Sequence, residues 1–220
     1  FRISFRHLWH NKLFSLINIL GLSLGLSSCF ILLLHVRFET GFDRFHQKRD
    51  RIVRVLHENY SFTPMVMSGV LPAYFPEIEK VVRVAKYGWT RFYVKQEGAF
   101  VEETNLVVAD STFFDVFSFP LVSGNVDKVL RSPDRLLLSE TMAMKYFGKL
   151  NPVGKTITFR LMNKDQLFTV EGVFRDFPEQ SHFHASFLAS MKLFPSQMNG
   201  NMSTNWGSNS VGTYLLMKEA

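Results

Sequence analysis

The segment between Leu13 and Val36 holds 24 residues and no Asp, Glu, Lys or Arg. As a helix it would be roughly 36 Å long, enough to cross a hydrocarbon core of about 30 Å. A cleavable signal peptide is one alternative, but Arg37-Phe38-Glu39 follows the segment where small residues would be needed. A buried core helix is the other alternative, although such helices are shorter and alternate with polar residues. The segment therefore predicts a membrane-spanning helix at residues 13–36.

The charges on the two sides of this segment predict its orientation. Residues 1–12 carry basic side chains and no acid, whereas residues 37–44 mix two arginines with Glu39 and Asp43. Lys and Arg are retained on the cytoplasmic side of the inner membrane. We therefore expect a protein of the bacterial inner membrane, with a cytoplasmic N-terminus and residues 37–220 in the periplasm.

The first twelve residues have an amphipathic pattern. Their aromatic and aliphatic side chains can share one helical face, with the basic side chains elsewhere. This pattern is typical of a short helix that rests on the membrane surface with a tryptophan at headgroup depth. A basic flank with incidental aromatic residues is the alternative. The candidate residues of this cytoplasmic interfacial segment are Arg2, Arg6, Trp9 and Lys12.

Small and polar residues recur inside the apolar segment at spacings of three and four. They are Asn18, Gly21, Gly25 and Ser28, and they fall on one stripe of a helix. Gly21 and Gly25 form a G-x-x-x-G pattern, which lets two helices approach closely. The Asn18 amide costs free energy in lipid unless it finds a partner. We expect this helix-packing face to contact other membrane helices and the opposite face to meet lipid.

Composition excludes several classes of function. The formal charge is +6, but residues 37–220 hold 22 basic and 19 acidic side chains, without a basic block that would indicate nucleic-acid binding. The single cysteine, Cys29, lies in the apolar segment, so residues 37–220 carry no disulfide and no Cys-based metal site. The chain begins with Phe1, and we expect a fragment of a longer protein. Most of its 23 phenylalanines are expected in the core.

Short strands and helices alternate after the apolar segment, which predicts an α+β fold. Ser139 is expected to cap a helix that Gly148 ends, and a hairpin is expected to turn at residues 163–165. The predicted helices cover residues 64–75, 111–117 and 139–147. The predicted strands cover residues 51–56, 81–87, 91–94, 105–109, 136–138, 155–161, 167–174 and 213–217.

No motif in the sequence predicts an enzyme. Gly154-Lys155-Thr156 is similar to the end of a phosphate-binding loop, but the required glycine is missing at position 149 and the sequence continues as a strand. If residues 182–184 are extended, His182 and His184 lie on one side of the segment, without convincing further metal ligands. We interpret the two histidines as a solvent-facing pair.

A set of stretches recurs along the chain in a fixed order: residues 5–12, 16–25, 42–46, 51–55, 113–117 with Gly124, 138–148, 151–155, 170–174, and 178 with 181–182. Together these stretches, which include the glycines at positions 124 and 172, resemble MacB/FtsX-like ABC transporter permeases, especially the long twin-domain Bacteroidetes type. The resemblance covers nearly all of the chain.

This resemblance implies a particular domain organisation. A periplasmic core domain, at residues 37–220, would be inserted between the first and second membrane helices. It would be an α+β domain with a mixed sheet and two lobes, a porter-like lobe near the membrane and an inserted lobe at about residues 110–180. Residues 1–12 would be the cytoplasmic interfacial segment and residues 13–36 the first transmembrane helix.

The resemblance also implies a mechanism and partners. A separate cytoplasmic ABC ATPase would hydrolyse ATP, so this chain itself would bind no cofactor and would not be an enzyme. Movement of the ATPase would pass through the first helix to the periplasmic domain, a mechanism called mechanotransmission, and would drive efflux or export. The expected partners are the ATPase, the remaining transmembrane helices of the permease, membrane lipid, a periplasmic adaptor, and a second half that forms a dimer or pseudo-dimer.

Two other functions stay open at this point. An FtsX-like protein would signal across the membrane to regulate periplasmic hydrolases and would transport nothing. A membrane-anchored sensor module would need an output domain, and only twelve residues precede the apolar segment. Three further membrane spans followed by another such domain would favour the permease.

Overall fold

A computed structural model describes residues 12–57, 60–86, 91–193 and 204–219. The chain divides into two units, one ending at Asp43 and the other beginning at Arg44. The first unit is built on one helix, α1 (Lys12–Glu39), of 28 residues, none of them buried. No proline interrupts its hydrogen-bond ladder, and at 1.5 Å per residue it is about 42 Å long. The helix therefore contains the whole of the predicted spanning segment.

The second unit carries a sheet of twelve described strands. They are β1 (Ile52–Arg54), β2 (Thr63–Pro64), β3 (Ile78–Lys86), β4 (Phe92–Gln96), β5 (Ala99–Glu103), β6 (Leu106–Ala109), β7 (Leu121–Ser123), β8 (Arg135–Ser139), β9 (Thr156–Leu161), β10 (Lys164–Phe174), β11 (Phe187–Ser190) and β12 (Asn209–Met217).

The order of the strands is β1-β12-β3-β6-β11-β8-β10-β9-β4-β5, with β2 beside β12 and β7 beside β10. The pairs β6–β11 and β8–β10 are parallel, and the hairpins β4–β5 and β9–β10 are antiparallel. The sheet is therefore mixed. Together with the helices it confirms the predicted α+β class.

The central strands β6, β8 and β11 are buried on both faces of the sheet. In β6, Leu106 and Val108 belong to one hydrophobic cluster, while Val107 belongs to the other. Leu137 in β8 and Leu188 in β11 belong to the same cluster as Val107, and their neighbours along each strand belong to the opposite one. Because side chains alternate across a strand, a strand covered on both sides reads as a continuous apolar run. The runs at residues 106–109 and 136–138 have this origin.

Three α-helices, α2 (Met67–Tyr74), α3 (Phe113–Val116) and α4 (Glu140–Phe147), and a 3₁₀ helix (Arg49–Arg51) complete the described part of the second unit. The ends of α4 confirm the sequence prediction. The Met142 N–H donates to the Ser139 hydroxyl at 3.3 Å, and the helix ends at Gly148, which has a φ of 59°. Asp176 adds a second cap, since its carboxylate accepts hydrogen bonds from the Thr141 N–H and hydroxyl.

Aromatic side chains fill the core around α3. Phe113, Phe117 and Phe119 are all buried. The Phe119 ring stacks on Phe177 with centroids 3.7 Å apart, and Phe117 meets Phe183 edge-on at 4.9 Å. Aromatic pairs in such geometries stabilise a core beyond their area burial. Around α3, the expectation that phenylalanine side chains lie in the core is confirmed.

The hairpin turns differ from the sequence prediction. Leu161 pairs with Lys164, so the β9–β10 turn consists of two residues, Met162 and Asn163, with φ of 48° and 60°. Positive φ at both residues is the mark of a type I′ turn, which matches the twist of the strands. The turn therefore begins one residue before the predicted 163–165 and shares Asn163 with it, while Lys164 and Asp165 belong to β10. Glu97 and Gly98 form a similar turn between β4 and β5. The strands β2, β5, β7 and β11 were not predicted, and Pro64 lies in β2 and not in the predicted helix at 64–75.

The proposed lobes and domain boundaries stay predictions. The described strands form one continuous path, and β4 and β5 extend it beyond β9 through the pairing of Tyr93 with Arg160. Residues outside the predicted 110–180 range therefore share a sheet edge with strands inside it.

Candidate functional site

Helix α1 is, in the described part of the chain, the one helix long and apolar enough to cross a membrane. Its most apolar stretch contains no buried residue. Length and composition meet the requirements for a span of about 30 Å.

The predicted helix-packing face lies on the exposed surface of α1. Asn18, Gly21, Gly25 and Ser28 are all exposed. Apart from the adjacent backbone of the helix itself, a methyl group added at Gly21 or Gly25 would meet no atom of the described residues within 4 Å. The Ser28 hydroxyl donates to the Leu24 carbonyl at 2.9 Å and so satisfies itself within the helix. The face is accessible to a neighbouring helix, and the partner itself stays a prediction.

The predicted interfacial segment falls mostly outside the described residues. Arg2, Arg6 and Trp9 lie there, and Lys12 is the first residue of α1. The amphipathic character of residues 1–12 therefore stays a prediction from sequence.

The second unit contains a cavity of about 410 Å³ beside β3, β6 and β12. One wall is organised around Tyr214. Its hydroxyl is hydrogen-bonded to His182 Nε2 at 3.1 Å, and the Arg54 guanidinium lies 5.4 Å from the centre of its ring. The described lining residues are Arg54, Phe62, Val84, Ala85, Lys86, Val107, His182, Phe183, Ser210, Gly212 and Tyr214.

Sequence reasoning did not find this cavity. Its lining residues come from strands that are far apart in the chain, and strand alternation reports which side chains face a core but not where the core leaves space. The pair of cations Arg54 and Lys86, each within a predicted strand, is the one local signal of this cavity in its described lining, and these residues prove to end β1 and β3. Neither is distinctive without the fold.

The motif Gly154-Lys155-Thr156 forms a turn that leads into a strand. Gly154 has a φ of 83°, and its N–H donates to the Val170 carbonyl at 2.8 Å. Thr156 begins β9. Without a helix start at this point, the arrangement lacks the array of free N–H groups that holds phosphate.

The two histidines of the 182–184 segment are exposed, with Phe183 buried between them. Within the described ranges, no group of three or more His, Cys, Asp or Glu side chains has the spacing of a metal site. His182 instead contributes to the cavity wall through its contact with Tyr214.

A polar cluster attaches α4 to β5. The Glu103 carboxylate, only 9% exposed, accepts a hydrogen bond from Lys145 Nζ at 2.5 Å and a very short one from the Tyr146 hydroxyl. The pKa of Tyr146 is raised far above its ordinary value. Burial contributes most, followed by the hydrogen bond with Glu103 and then by the negative charge of Glu103. Tyr146 therefore stays protonated and donates to Glu103, which indicates a structural clamp.

A second buried carboxylate, Glu171 in β10, lies beside the start of β8. Its side chain is 10% exposed and accepts a hydrogen bond from the Leu130 N–H at 3.0 Å, with Arg135 at 3.6 Å. Burial raises the pKa of Glu171, against the opposing effects of Leu130 and Arg135. This carboxylate connects the 130–135 segment to β10.

Two glycines meet where β7 pairs with β10. A Cβ at Gly172 would lie 2.5 Å from the Ser123 carbonyl oxygen, and a Cβ at Gly124 would lie 2.6 Å from the Glu171 carbonyl oxygen. Gly124 also has a φ of 109°, a conformation that favours glycine. These two glycines belong to the motifs noted in the sequence, and the structure explains them as a close approach of two backbones.

Comparison with known proteins identifies the family. The family model of the MacB-like periplasmic core domain matches residues 15–217, which include most of α1 and all the described strands. The chain belongs to this family. No curated protein matches the chain.

Solved structures share the fold of this MacB-like domain. A domain of a candidate permease protein from Porphyromonas gingivalis is 25% identical, with a TM-score of 0.67 over 80% of this chain and 78% of that one. The periplasmic region of MacB from Actinobacillus actinomycetemcomitans is 18% identical, with a TM-score of 0.54 over 76% and 73%. The extracellular domain of the noncanonic ABC-type transporter YknZ from Gram-positive bacteria is 17% identical, with a TM-score of 0.51 over 77% and 83%.

These comparisons confirm the predicted resemblance to MacB-like permeases and the mixed-sheet α+β fold. The last two structures, at 18% and 17% identity, show the fold alone. The family is that of a permease periplasmic domain, and an N-terminal apolar helix precedes the domain in this chain.

Proposed function

We propose that this chain is the first membrane helix and periplasmic core domain of a permease subunit in an ABC-type export system. A separate cytoplasmic ATPase binds and hydrolyses ATP, and its movement reaches the periplasmic domain by mechanotransmission through α1. The observation that carries the proposal is the family match over residues 15–217, which takes in the apolar helix and the sheet together.

The properties of α1 support its role as a mechanical relay. It has 28 residues without proline and so without the commonest cause of a kink. It carries one stripe of small residues at which other helices can approach closely. A single helix cannot line a pore, so the proposal places the remaining membrane helices of the permease against that stripe.

The packing of the second unit supports its proposed role as the body that α1 moves. Its central strands are covered on both faces, and the polar clusters at Glu103 and Glu171 connect helix to sheet and strand to strand. Close-packed interiors have low compressibility and transmit displacement. A domain built in this way moves as a body when its attachment moves.

We further propose that residues 1–12, at the cytoplasmic end of α1, take up the movement of the ATPase. The test is a triple substitution of Arg2, Arg6 and Trp9 by alanine in the intact permease, reconstituted with its ATPase in proteoliposomes. A fluorophore at Tyr74→Cys in a Cys29→Ser background reports ATP-driven movement, since Tyr74 is 75% exposed. We expect ATP hydrolysis to continue while the ATP-dependent fluorescence change is lost.

A matched control replaces two exposed cations and an exposed tryptophan of the second unit, Arg131, Lys164 and Trp206, by alanine. This control keeps the fluorescence change. Undiminished coupling in the first variant contradicts the proposed role of residues 1–12. Coupled movement that activates a peptidoglycan hydrolase, with no cargo exported, identifies the FtsX-like alternative.

A further inference from the structure

The cavity beside β3, β6 and β12 has an apolar wall large enough for a small organic molecule. Val84, Val107 and Phe183 are buried core residues that also line it. Its volume of about 410 Å³ corresponds to roughly 14 water molecules at about 30 Å³ each. Pockets of about 300–1,000 Å³ with apolar walls and few polar groups are typical of ligand sites.

Two cations border this cavity without a carboxylate partner in the described part of the chain. On β3, Lys80 pairs with Asp115 at 2.8 Å and Arg83 pairs with Asp110 through two hydrogen bonds of 2.8 Å. Lys86, the third cation of that strand, forms no ion pair among the described residues and lines the cavity.

The second cation, Arg54, likewise lies near a paired cation but has no carboxylate partner among the described residues. Arg51, just before β1, pairs with Glu79 at 3.1 Å. Among the described residues, Arg54 donates to the Ser61 carbonyl at 3.1 Å and lies over the Tyr214 ring. Arginine has five N–H donors in a planar fork, so most of them stay available to an acceptor in the cavity. No acidic residue is found among the described lining residues.

We propose that this cavity binds a small amphipathic anion, a carboxylate attached to an apolar body of about a dozen non-hydrogen atoms. Arg54 and Lys86 hold the carboxylate, and the wall of Val84, Val107 and Phe183 holds the apolar body. The carboxylate can come from a free fatty acid or from the C-terminus of a short apolar peptide. The export of such a ligand rests on the proposed function, whereas its binding does not.

The test uses the whole chain in phosphatidylcholine nanodiscs, with empty nanodiscs as the blank. Octanoate and N-acetyl-leucylphenylalanine represent the two sources, and octanamide and N-acetyl-leucylphenylalaninamide are their neutral controls. Affinities are measured by saturation-transfer NMR. We expect at least one carboxylate to bind about tenfold more tightly than its amide, because a charge-assisted hydrogen bond contributes about 1.5–3 kcal/mol. The tighter carboxylate identifies the source.

Variants locate the binding. Replacing both Arg54 and Lys86 by methionine is expected to weaken carboxylate binding about tenfold. Replacing the exposed cations Arg131 and Lys164 by methionine, the same change of charge elsewhere, leaves it unchanged. Ser210→Phe fills the cavity at constant charge and abolishes binding. Circular dichroism verifies that each variant is folded.

Four results overturn the proposal. They are that neither carboxylate binds, that the amides bind as tightly as the carboxylates, that binding survives Ser210→Phe, or that the Arg54 and Lys86 pair weakens binding no more than the Arg131 and Lys164 pair. The assay contains no ATPase, so its failure leaves the coupling experiment unaffected.

Discussion

Substituting Gly172 by alanine is the most direct test of the close backbone contact between β7 and β10. The added Cβ would lie 2.5 Å from the Ser123 carbonyl oxygen and 3.4 Å from the Gly124 Cα. Both of those atoms belong to a backbone, which has no rotamer to change. The two strands pair through Val173 and Ser123, so the clash is relieved only if they separate locally.

The expected cost follows from overpacking. Inserting a methyl group into a close-packed site costs about 1–3 kcal/mol. For a unit of about 150–250 residues, each kcal/mol lowers Tm by about 2–4 °C. A cost of about 2 kcal/mol therefore lowers Tm by about 4–8 °C. Gly172 does not have a positive φ, so the loss is due to the contact and not to backbone strain.

The assay is thermal unfolding of the detergent-solubilised chain followed by near-UV circular dichroism, which reports the aromatic core of the second unit. Gly69→Ala is the matched control. Gly69 lies in α2 and its added Cβ would meet nothing within 4 Å, so alanine there is expected to stabilise by up to about 1 kcal/mol. Opposite signs for the two substitutions support the reasoning. A Tm for Gly172→Ala equal to or above that of the unsubstituted chain refutes it.

Four further predictions concern the cap, the core, a buried carboxylate and the packing face. Ser139→Ala removes the α4 cap and lowers the free energy of unfolding by about 1 kcal/mol in urea titrations, with Ser139→Asp retaining most of it. Phe187→Ala empties a fully buried site and costs about 3–5 kcal/mol in the same assay; a cost below 1 kcal/mol would contradict its place in the core. Burial raises the pKa of Glu171, so its folded form favours the proton and its contribution to stability falls as pH rises above the ordinary value. From pH 4 to pH 7, the free energy of unfolding of Glu171→Gln is therefore expected to rise relative to that of the unsubstituted chain. The same difference between the two proteins at both pH values would count against the burial argument. Gly21→Leu with Gly25→Leu blocks close helix approach and reduces crosslinking of α1 to neighbouring helices in the intact permease, whereas unchanged crosslinking would show that the stripe is not a packing face.

The elements that could be predicted from sequence are those whose signal is local. The apolar segment at 13–36, the cap at Ser139 and the stop at Gly148 each depend on neighbouring residues, and the structure places α1 and α4 there. The strands predicted at 105–109 and 136–138 are confirmed as β6 and β8, whose continuous apolar runs reflect burial on both faces of the sheet.

The elements that were missed depend on long-range contacts. β11 has four residues and pairs with β6 on one side and β8 on the other. No local sequence signal indicates these pairings. β5 ends in two glutamates, which lowers its strand propensity. The meeting of Gly124 with Gly172 and the cavity at Tyr214 arise only when distant strands pair. The family motifs marked the glycines, but only the structure gives their contact.

The central claim is that α1 crosses the inner membrane and leaves the folded second unit on the periplasmic side. Thiol accessibility in intact cells tests it directly, with Cys29→Ser as background and a single new cysteine at Lys12 or at Tyr74, which is 75% exposed. A charged maleimide that does not cross the inner membrane is expected to label Tyr74→Cys in intact cells and Lys12→Cys only after lysis. Labelling of Tyr74→Cys only after lysis would contradict the claim.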